Sequence, residues 1–220
     1  MAVQIEGELQ ALKDNLIDML EMVRDQIDRC RKAIEKGNTK YAKTVLEEEN
    51  KVNRQEIAID RDCENILALY TPVATDLRFV LSTLKITNNL ERIGDYAKTL
   101  AGFIQDNQEH ISTKWFPKFH ISEMLDVLGK MLKSMREAVV RGDTRLARKT
   151  TAMDEQLNNY YRDAFKVAAS LIKKKPERAD IFLALFAITR DLERGGDHTK
   201  NIAEELVFHI EAKVLKHRGR

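Results

Sequence analysis

Proline, cysteine and aromatic residues are all scarce in this chain, and no apolar stretch is long. Three prolines, 6% aromatic and 33% charged residues in 220 suit long, solvated, amphipathic helices. Cys30 and Cys63 lack the C-x-x-C spacing of a redox or zinc pair and read as reduced, buried thiols. The longest apolar run, Ile181–Ile188, is far too short to cross a bilayer. The opening residues, MAVQIEGELQALKD, are acidic and carry no hydrophobic signal region. Lys+Arg 37 against Asp+Glu 35 leaves +2, so no strong field draws the chain to nucleic acid, and the basic tail Lys213–Arg220 is too short for a binding arm. These absences predict a soluble, cytoplasmic protein. No Cys/His/Ser constellation and no glycine-rich phosphate loop is present, so no enzyme activity is expected.

What is present is duplication. Apolar residues at 9, 12, 16, 19, 23, 27, 30 and 34 recur in steps of three and four, the seam of a long helix packed nearly parallel to its neighbours. Ile121, Leu125, Leu128, Leu132, Met135 and Val139 repeat the pattern. Both seams meet the same punctuation, Lys36-Gly-Asn-Thr39 and Arg141-Gly-Asp-Thr144, with the glycines 105 residues apart (142 − 37). Glycine past a helix end, followed by Asn/Asp-Thr, marks a stop and an immediate new N-cap. Second helices are predicted over 39–69 and 144–173, then breaks at Pro72 and Pro176, then third helices over 73–106 and 177–213. Pro117, in the aromatic stretch Lys114-Trp-Phe-Pro-Lys-Phe119, falls in the linker. The expectation is an all-α chain of two tandem three-helix bundles, residues 1–108 and 119–220, joined by a linker at 109–118.

The third helices carry the clearest repeat. ITNNLERIGDYAKTLA (86–101) and ITRDLERGGDHTKNIA (188–203) agree at nine of sixteen positions. Glu91 and Asp95, and again Glu193 and Asp197, stand i,i+4, roughly 6 Å apart on one helix face. Asn201 extends the second stripe by one more turn. Like charges at that spacing repel, so each pair needs a counter-charge. Lys98, Lys200 and Arg190 are close enough along the helix to supply it without any ligand.

Two features argue for more. The second-helix seam 42, 45, 49, 52, 56, 59, 63, 66 reads Ala, Val, Glu, Val, Glu, Ile, Cys, Ile, and its counterpart 147, 150, 154, 157, 161, 164 reads Ala, Thr, Asp, Leu, Tyr, Ala. Glu49 and Asp154 therefore share a repeat position, each followed at i+4 by an asparagine, Asn53 or Asn158. A carboxylate facing a bundle interior costs several kcal/mol unless paired or coordinated. Gly94 and Gly196, inside helices, each cost about 1 kcal/mol against alanine and need a packing or functional reason. On these grounds a metal site and buried pairing with Arg92 and Arg194 explain the pattern equally well. Oxygen donors of this kind suit Mg²⁺, Mn²⁺ or iron. Because Glu91 and Asp95 flank the seam Ile86, Leu90, Ile93, Ala97, Leu100, such a site would lie at a groove edge open to solvent. A ferritin-like di-iron enzyme would use Glu-x-x-His, and no such pair exists; His198 reads as exposed or as a support to the site.

The same residues resemble the PhoU family, which is marked by an ExxxDxxxN-type motif on the third helix of each of two bundles. Pro72-Val-Ala-Thr-Asp-Leu-Arg78 leads into Leu-Glu-Arg-Ile-Gly-Asp95, and the second motif runs complete from Glu193 through Asp197 to Asn201. The first motif ends instead in Thr99, and Asn53 replaces a usual acidic residue, so the first face should bind the weaker of the two. The resemblance implies a dimer whose faces hold multinuclear metal clusters, with iron, zinc, manganese or magnesium as candidates. Its ligands would be Glu49, Glu91 and Asp95 on one face and Asp154, Asn158, Glu193, Asp197 and Asn201 on the other. It further implies contact with the ATPase subunit of the phosphate ABC transporter and with the phosphate-sensing histidine kinase, restraint of uptake, and repression of phosphate-starvation genes. Two readings stand beside it: a helical scaffold whose acidic grooves bind basic partners and, more remotely, the di-iron enzyme.

Overall fold

The computed structural model describes residues 2–108 and 115–212. The basic tail from Lys213, residues 109–114 of the expected linker, and the first four side chains lie outside the described residues. Helix α1 spans Ala2–Lys36, α2 Lys40–Tyr70 and α3 Ala74–Asp106. A 3-10 turn at Phe116–Phe119 precedes α4 (Ile121–Arg141), α5 (Thr144–Thr151), α6 (Asp154–Lys174) and α7 (Ala179–Glu211). Among the described residues there is no strand, and no helix is long and apolar enough to cross a membrane. The chain is all-α, built as two tandem three-helix bundles.

The predicted punctuation folds as its chemistry requires. Gly37 and Gly142 take φ of +58° and +63°, the left-handed conformation that glycine adopts without steric cost. Behind them Asn38 N–H reaches back to the Ala33 carbonyl (3.0 Å) and Asp143 N–H to the Ala138 carbonyl (3.1 Å), closing the last turn of each helix. The next helix is then capped by a side chain: Asn38 Oδ1 accepts from Lys40 N–H, and Asp143 Oδ1 from Arg145 N–H.

One predicted helix is broken. The second helix of the second bundle, expected unbroken over 144–173, is interrupted at Ala152–Met153. At the break the amides of Ala152 and Met153 reach carbonyls only three residues back. The hydroxyls of Thr150 and Thr151 donate to the Leu146 and Arg148 carbonyls beside it. Propagation stops there and restarts at Asp154.

The bundles share one core. Leu12, Leu16, Met19, Val23 and Ile27 of α1 are buried together with Leu125, Leu128, Leu132 and Met135 of α4. α1 packs along α4, and α3 along α7, about as extensively as each packs within its own bundle. Lys85 pairs with Glu205, Asn89 with His198, and Tyr96 with His198, so α3 and α7 run antiparallel. Tyr96 and His198 occupy the same repeat position (198 − 96 = 102, as 193 − 91), which places a pseudo-twofold axis between them.

Candidate metal centre

Each carboxylate face lies where the second helix of a bundle packs on its third. In the first bundle Glu91 and Asp95 stand on α3 within electrostatic reach of Glu56 of α2, while Glu49 of α2 is bonded to Lys98, further along α3. In the second, Asp154 at the start of α6 faces Glu193 and Asp197 on α7. The faces have equivalent positions and different satisfaction.

On the first face Glu49 is already partnered. Its Oε1 accepts from Lys98 Nζ at 2.7 Å and from Asn53 Nδ2 at 2.9 Å. The hydrogen bond from Lys98 holds the Glu49 carboxyl below the usual range. Glu91 and Asp95 are less settled. Arg92 Nε stands 3.4 Å from Glu91 Oε2, an atom without a hydrogen bond, and Arg92 Nη1 3.7 Å from Asp95 Oδ2. Burial, and then the charge of Asp95, push the Glu91 carboxyl up. Glu56, standing on the α2 seam two turns beyond Glu49, joins this face: burial, then Asp60, with Asp95 adding, raises its carboxyl too. Its seam position was the available signal. Tyr161 holds the equivalent place in the second repeat, so Glu56 is not duplicated. Thr99 is exposed and donates its hydroxyl to the Asp95 carbonyl (3.0 Å).

On the second face Asp154 is 4% exposed, and its Oδ1 has no hydrogen-bond partner. Asn158 Nδ2 lies 3.4 Å from the other oxygen, Oδ2. Burial, and then Asp197, push the Asp154 carboxyl up; burial, Asp197 and Asp154 do the same to Glu193. Lys200, the repeat mate of Lys98, acts on Asp154 only through space. The helix break explains the difference. It places Asp154 in the first turn of α6, buried against α7 within reach of the charge of Asp197. Gly196 makes room for it: a Cβ there would meet Leu157 Cδ1 at 2.5 Å and Asp154 Oδ1 at 2.7 Å. The corresponding atom at Gly94 would meet Gln26 Oε1 at 3.2 Å. Both helix-interior glycines thus have a packing reason, and the second also shapes the carboxylate face.

Asn201 is turned elsewhere. Its Nδ2 points to Asn89 Oδ1 of α3 at 3.4 Å, into the junction between the bundles. His198 is half-buried in the same junction. Asn89 Nδ2 donates to the Lys85 carbonyl, so its Oδ1 faces His198 Nδ1 (2.8 Å) as an acceptor; Nδ1 then carries the proton and Nε2 accepts from the Tyr96 hydroxyl at 3.3 Å. Burial, and then Arg194, hold this imidazole below its usual range. Arg194 itself lies over the Tyr96 ring, 5.7 Å from its centroid. Arginine–carboxylate pairing therefore operates on the first face, through Arg92, while the corresponding arginine of the second face is stacked on an aromatic ring.

The donor chemistry fits a hard cation. The oxygens are carboxylate and amide, two of them (Asp154 Oδ1 and Glu91 Oε2) lack hydrogen bonds, and burial, with mutual repulsion added, raises the proton affinity of Glu91, Asp154 and Glu193. Among the described residues no three His, Cys, Asp or Glu side chains converge closely enough to enclose an ion. Asp197 and Asp95 are the more exposed members of the two pairs.

The sequence pattern of the PhoU domain matches residues 16–104 and again 121–206. The chain is 30% identical over 218 residues to the phosphate-specific transport system accessory protein PhoU homolog of Pseudomonas aeruginosa, covering 98% of this chain and 89% of that protein. It is 28% identical to PhoU homolog 1 of Thermotoga maritima over 97% of this chain and 92% of the relative. The crystal structure of PhoU from P. aeruginosa superposes with a TM-score of 0.86 at 27% identity, covering 94% of this chain and 99% of that one. PhoU from Streptococcus pneumoniae, at 23% identity and a TM-score of 0.82, shares the fold. With both repeats matched and the alignment running nearly end to end, the chain belongs to the PhoU family.

Proposed function

We propose that this protein is a non-catalytic, cytoplasmic accessory regulator of a phosphate-specific transport system. It acts by contact, as a homodimer, on the transporter's ATPase subunit and on a phosphate-sensing histidine kinase, restraining uptake and starvation signalling when phosphate is plentiful. The observation that supports this best is the end-to-end match to relatives named as accessory proteins of such systems, with both motif-bearing repeats retained.

Within that role the two faces are read as metal centres. Glu49, Glu91 and Asp95 would hold one ion group, and Asp154, Asn158, Glu193 and Asp197 the other, with Asn201 joining by a rotation away from Asn89. A bound cation such as manganese, iron, magnesium or zinc would supply the positive charge that the unpartnered carboxylates lack. The second face should bind more tightly, because Lys98 already neutralises Glu49 on the first. That lysine also favours a second reading, in which the faces accept basic side chains of a partner and metal is incidental.

Elemental analysis of untagged protein separates the two. After dialysis against a mild chelator, wild type should retain metal and Asp197→Asn should lose most of it. Equal metal content in both would remove the metal reading and leave the scaffold. For the regulatory role, deletion should switch on a phosphate-starvation reporter in phosphate-rich medium and raise intracellular polyphosphate. Normal control in a strain without a paralogue would remove the role and leave the fold standing.

A further inference from the structure

The pseudo-twofold axis relates the two ends of the molecule, and the ends are filled differently. At one end the linker turn supplies a plug. Trp115 packs edge-on against Phe182 at the start of α7 (5.0 Å between centroids), and Phe116 against Phe103 near the end of α3 (6.1 Å). Phe119 is fully buried beside them. The repeat mates of Phe182 and Phe103 are Val80 and Glu205 (182 − 80 = 102; 205 − 103 = 102), at the start of α3 and the end of α7. No linker reaches that end among the described residues. In its place is a cleft of about 400 Å³ between α1, α3, α4 and α7.

The cleft has the make-up of a small-molecule site. Its walls are apolar: Leu16 from α1, Phe79 and Ile86 from α3, Val139 from α4, and Leu206 from α7. Two polar atoms inside have no partner. Ser82 is 2% exposed with an unbonded Oγ, and His209 Nδ1 is likewise out of contact with water. Orphaned buried polar atoms of this kind cost free energy until something bonds them. Charges around the cleft are of both signs, Lys13 with Asp76 and Glu6. The bases are already engaged, Lys13 Nζ with the Val140 carbonyl (3.2 Å) and Arg78 Nε with the His209 carbonyl (3.3 Å). Among the described residues the lining charges are one lysine against two carboxylates, so the cleft has no positive excess with which to neutralise an anion. A hydroxyl and an imidazole nitrogen can each donate or accept, so they suit a neutral head group.

We propose that this cleft binds a small uncharged molecule with an aromatic or alicyclic body and a hydroxyl or carbonyl head, held by Ser82 and His209. Such a ligand touches helices from both bundles, so it braces their relative position. The site shares no residue with the carboxylate faces and stands whether or not they bind metal.

The test uses the full-length protein and two probes of nearly equal apolar body, 2-naphthol and naphthalene, followed by fluorescence titration. Wild type should bind 2-naphthol saturably, one per chain. Ser82→Ala, a conservative change, should weaken 2-naphthol about fivefold, the loss expected for one hydrogen bond, and leave naphthalene unchanged. Ser82→Leu and Val139→Phe, which fill the cleft from opposite walls, should abolish binding of both, with circular dichroism confirming that each variant is folded. Absence of saturable binding to wild type would mean that the cleft holds only water, and would overturn the proposal. So would wild-type affinity in whichever filling variant folds, or a Ser82→Ala variant that treats the two probes alike.

Discussion

Glu49 and Asp154 hold the same position in the two repeats, and the contrast between them shows how a duplicated motif diverges. Glu49 sits within an unbroken helix, where Lys98 and Asn53 reach it, and its charge is satisfied. Asp154 begins a new helix after the turn at Ala152–Met153; it packs against Gly196 and keeps one oxygen without a partner. The lysine that neutralises the first face has its mate at Lys200, yet Lys200 only moderates the charge of Asp154 through space. A helix break, more than a change of ligand residue, separates the two faces.

Metal should separate them most. With manganese at about a hundred times its dissociation constant, the unfolding free energy should rise by about 2.7 kcal/mol. That gain should vanish in Asp197→Asn and survive in Glu49→Gln, as read by denaturant titration with and without the ion. The glycines come next. Gly196→Ala forces a Cβ onto Leu157 and Asp154 and should destabilise by about 2 kcal/mol, the cost of overpacking a filled site. Gly94→Ala crowds only the movable end of Gln26 and gains helix propensity, so it should stay within about 1 kcal/mol of wild type. Thermal or chemical unfolding of the two variants side by side checks this.

The charges themselves give a smaller effect with opposite signs. Asp154 has a raised carboxyl in the folded state, so without metal its contribution to stability is full below the ordinary aspartate range and is lost as pH rises through the raised value. Metal-free Asp154→Asn should therefore be more stable than wild type by about 1 kcal/mol at pH 7, with the difference closing as pH falls towards about 4. Glu49 has a lowered carboxyl, and its ion pair contributes above the ordinary glutamate range and is lost as pH falls through the lowered value. Glu49→Gln should be slightly destabilised at pH 7, by less than about 1 kcal/mol, since Lys98 is half exposed. Unfolding curves from pH 7 down to about 3 in chelator decide both. The least effect belongs to Tyr96→Phe, which removes the hydroxyl bonded to His198 at the pseudo-twofold axis. It should cost about 0.5 kcal/mol and leave the unfolding transition single.

Much of this was legible in the sequence because it depends on local rules. The stop at Gly37 and Gly142, the capping by Asn38 and Asp143, the breaks at Pro72 and Pro176, and the seams from Leu12 to Cys30 and from Ile121 to Val139 all follow from backbone sterics and a 3.6-residue period. The Glu-x-x-x-Asp pairs were legible for the same reason, since helical spacing places i and i+4 on one face, and the repeat put Asp154 beside the second pair; Glu49 instead meets Lys98. What spacing could not reveal is the direction in which each side chain finds its neighbour. Asn201 stands in register with Glu193 and Asp197, yet turns to Asn89 of the other bundle; His198 bridges the bundles between Tyr96 and Asn89; and Glu56 enters the first face from a seam position that looked like core.

By itself the sequence determined an all-helical chain, its duplication, its turns and the Glu-x-x-x-Asp pair on each third helix, because all of these are set within a few residues or by the repeat. Only the tertiary structure decided that the two bundles merge into one core along α1–α4 and α3–α7, that one face is neutralised and the other is not, and that a cleft remains where the linker has no second copy to fill it. Those outcomes depend on contacts between residues tens to more than a hundred apart in sequence, such as Lys98 with Glu49, Lys85 with Glu205 or Lys13 with Val140, where neither helical period nor turn chemistry carries any signal.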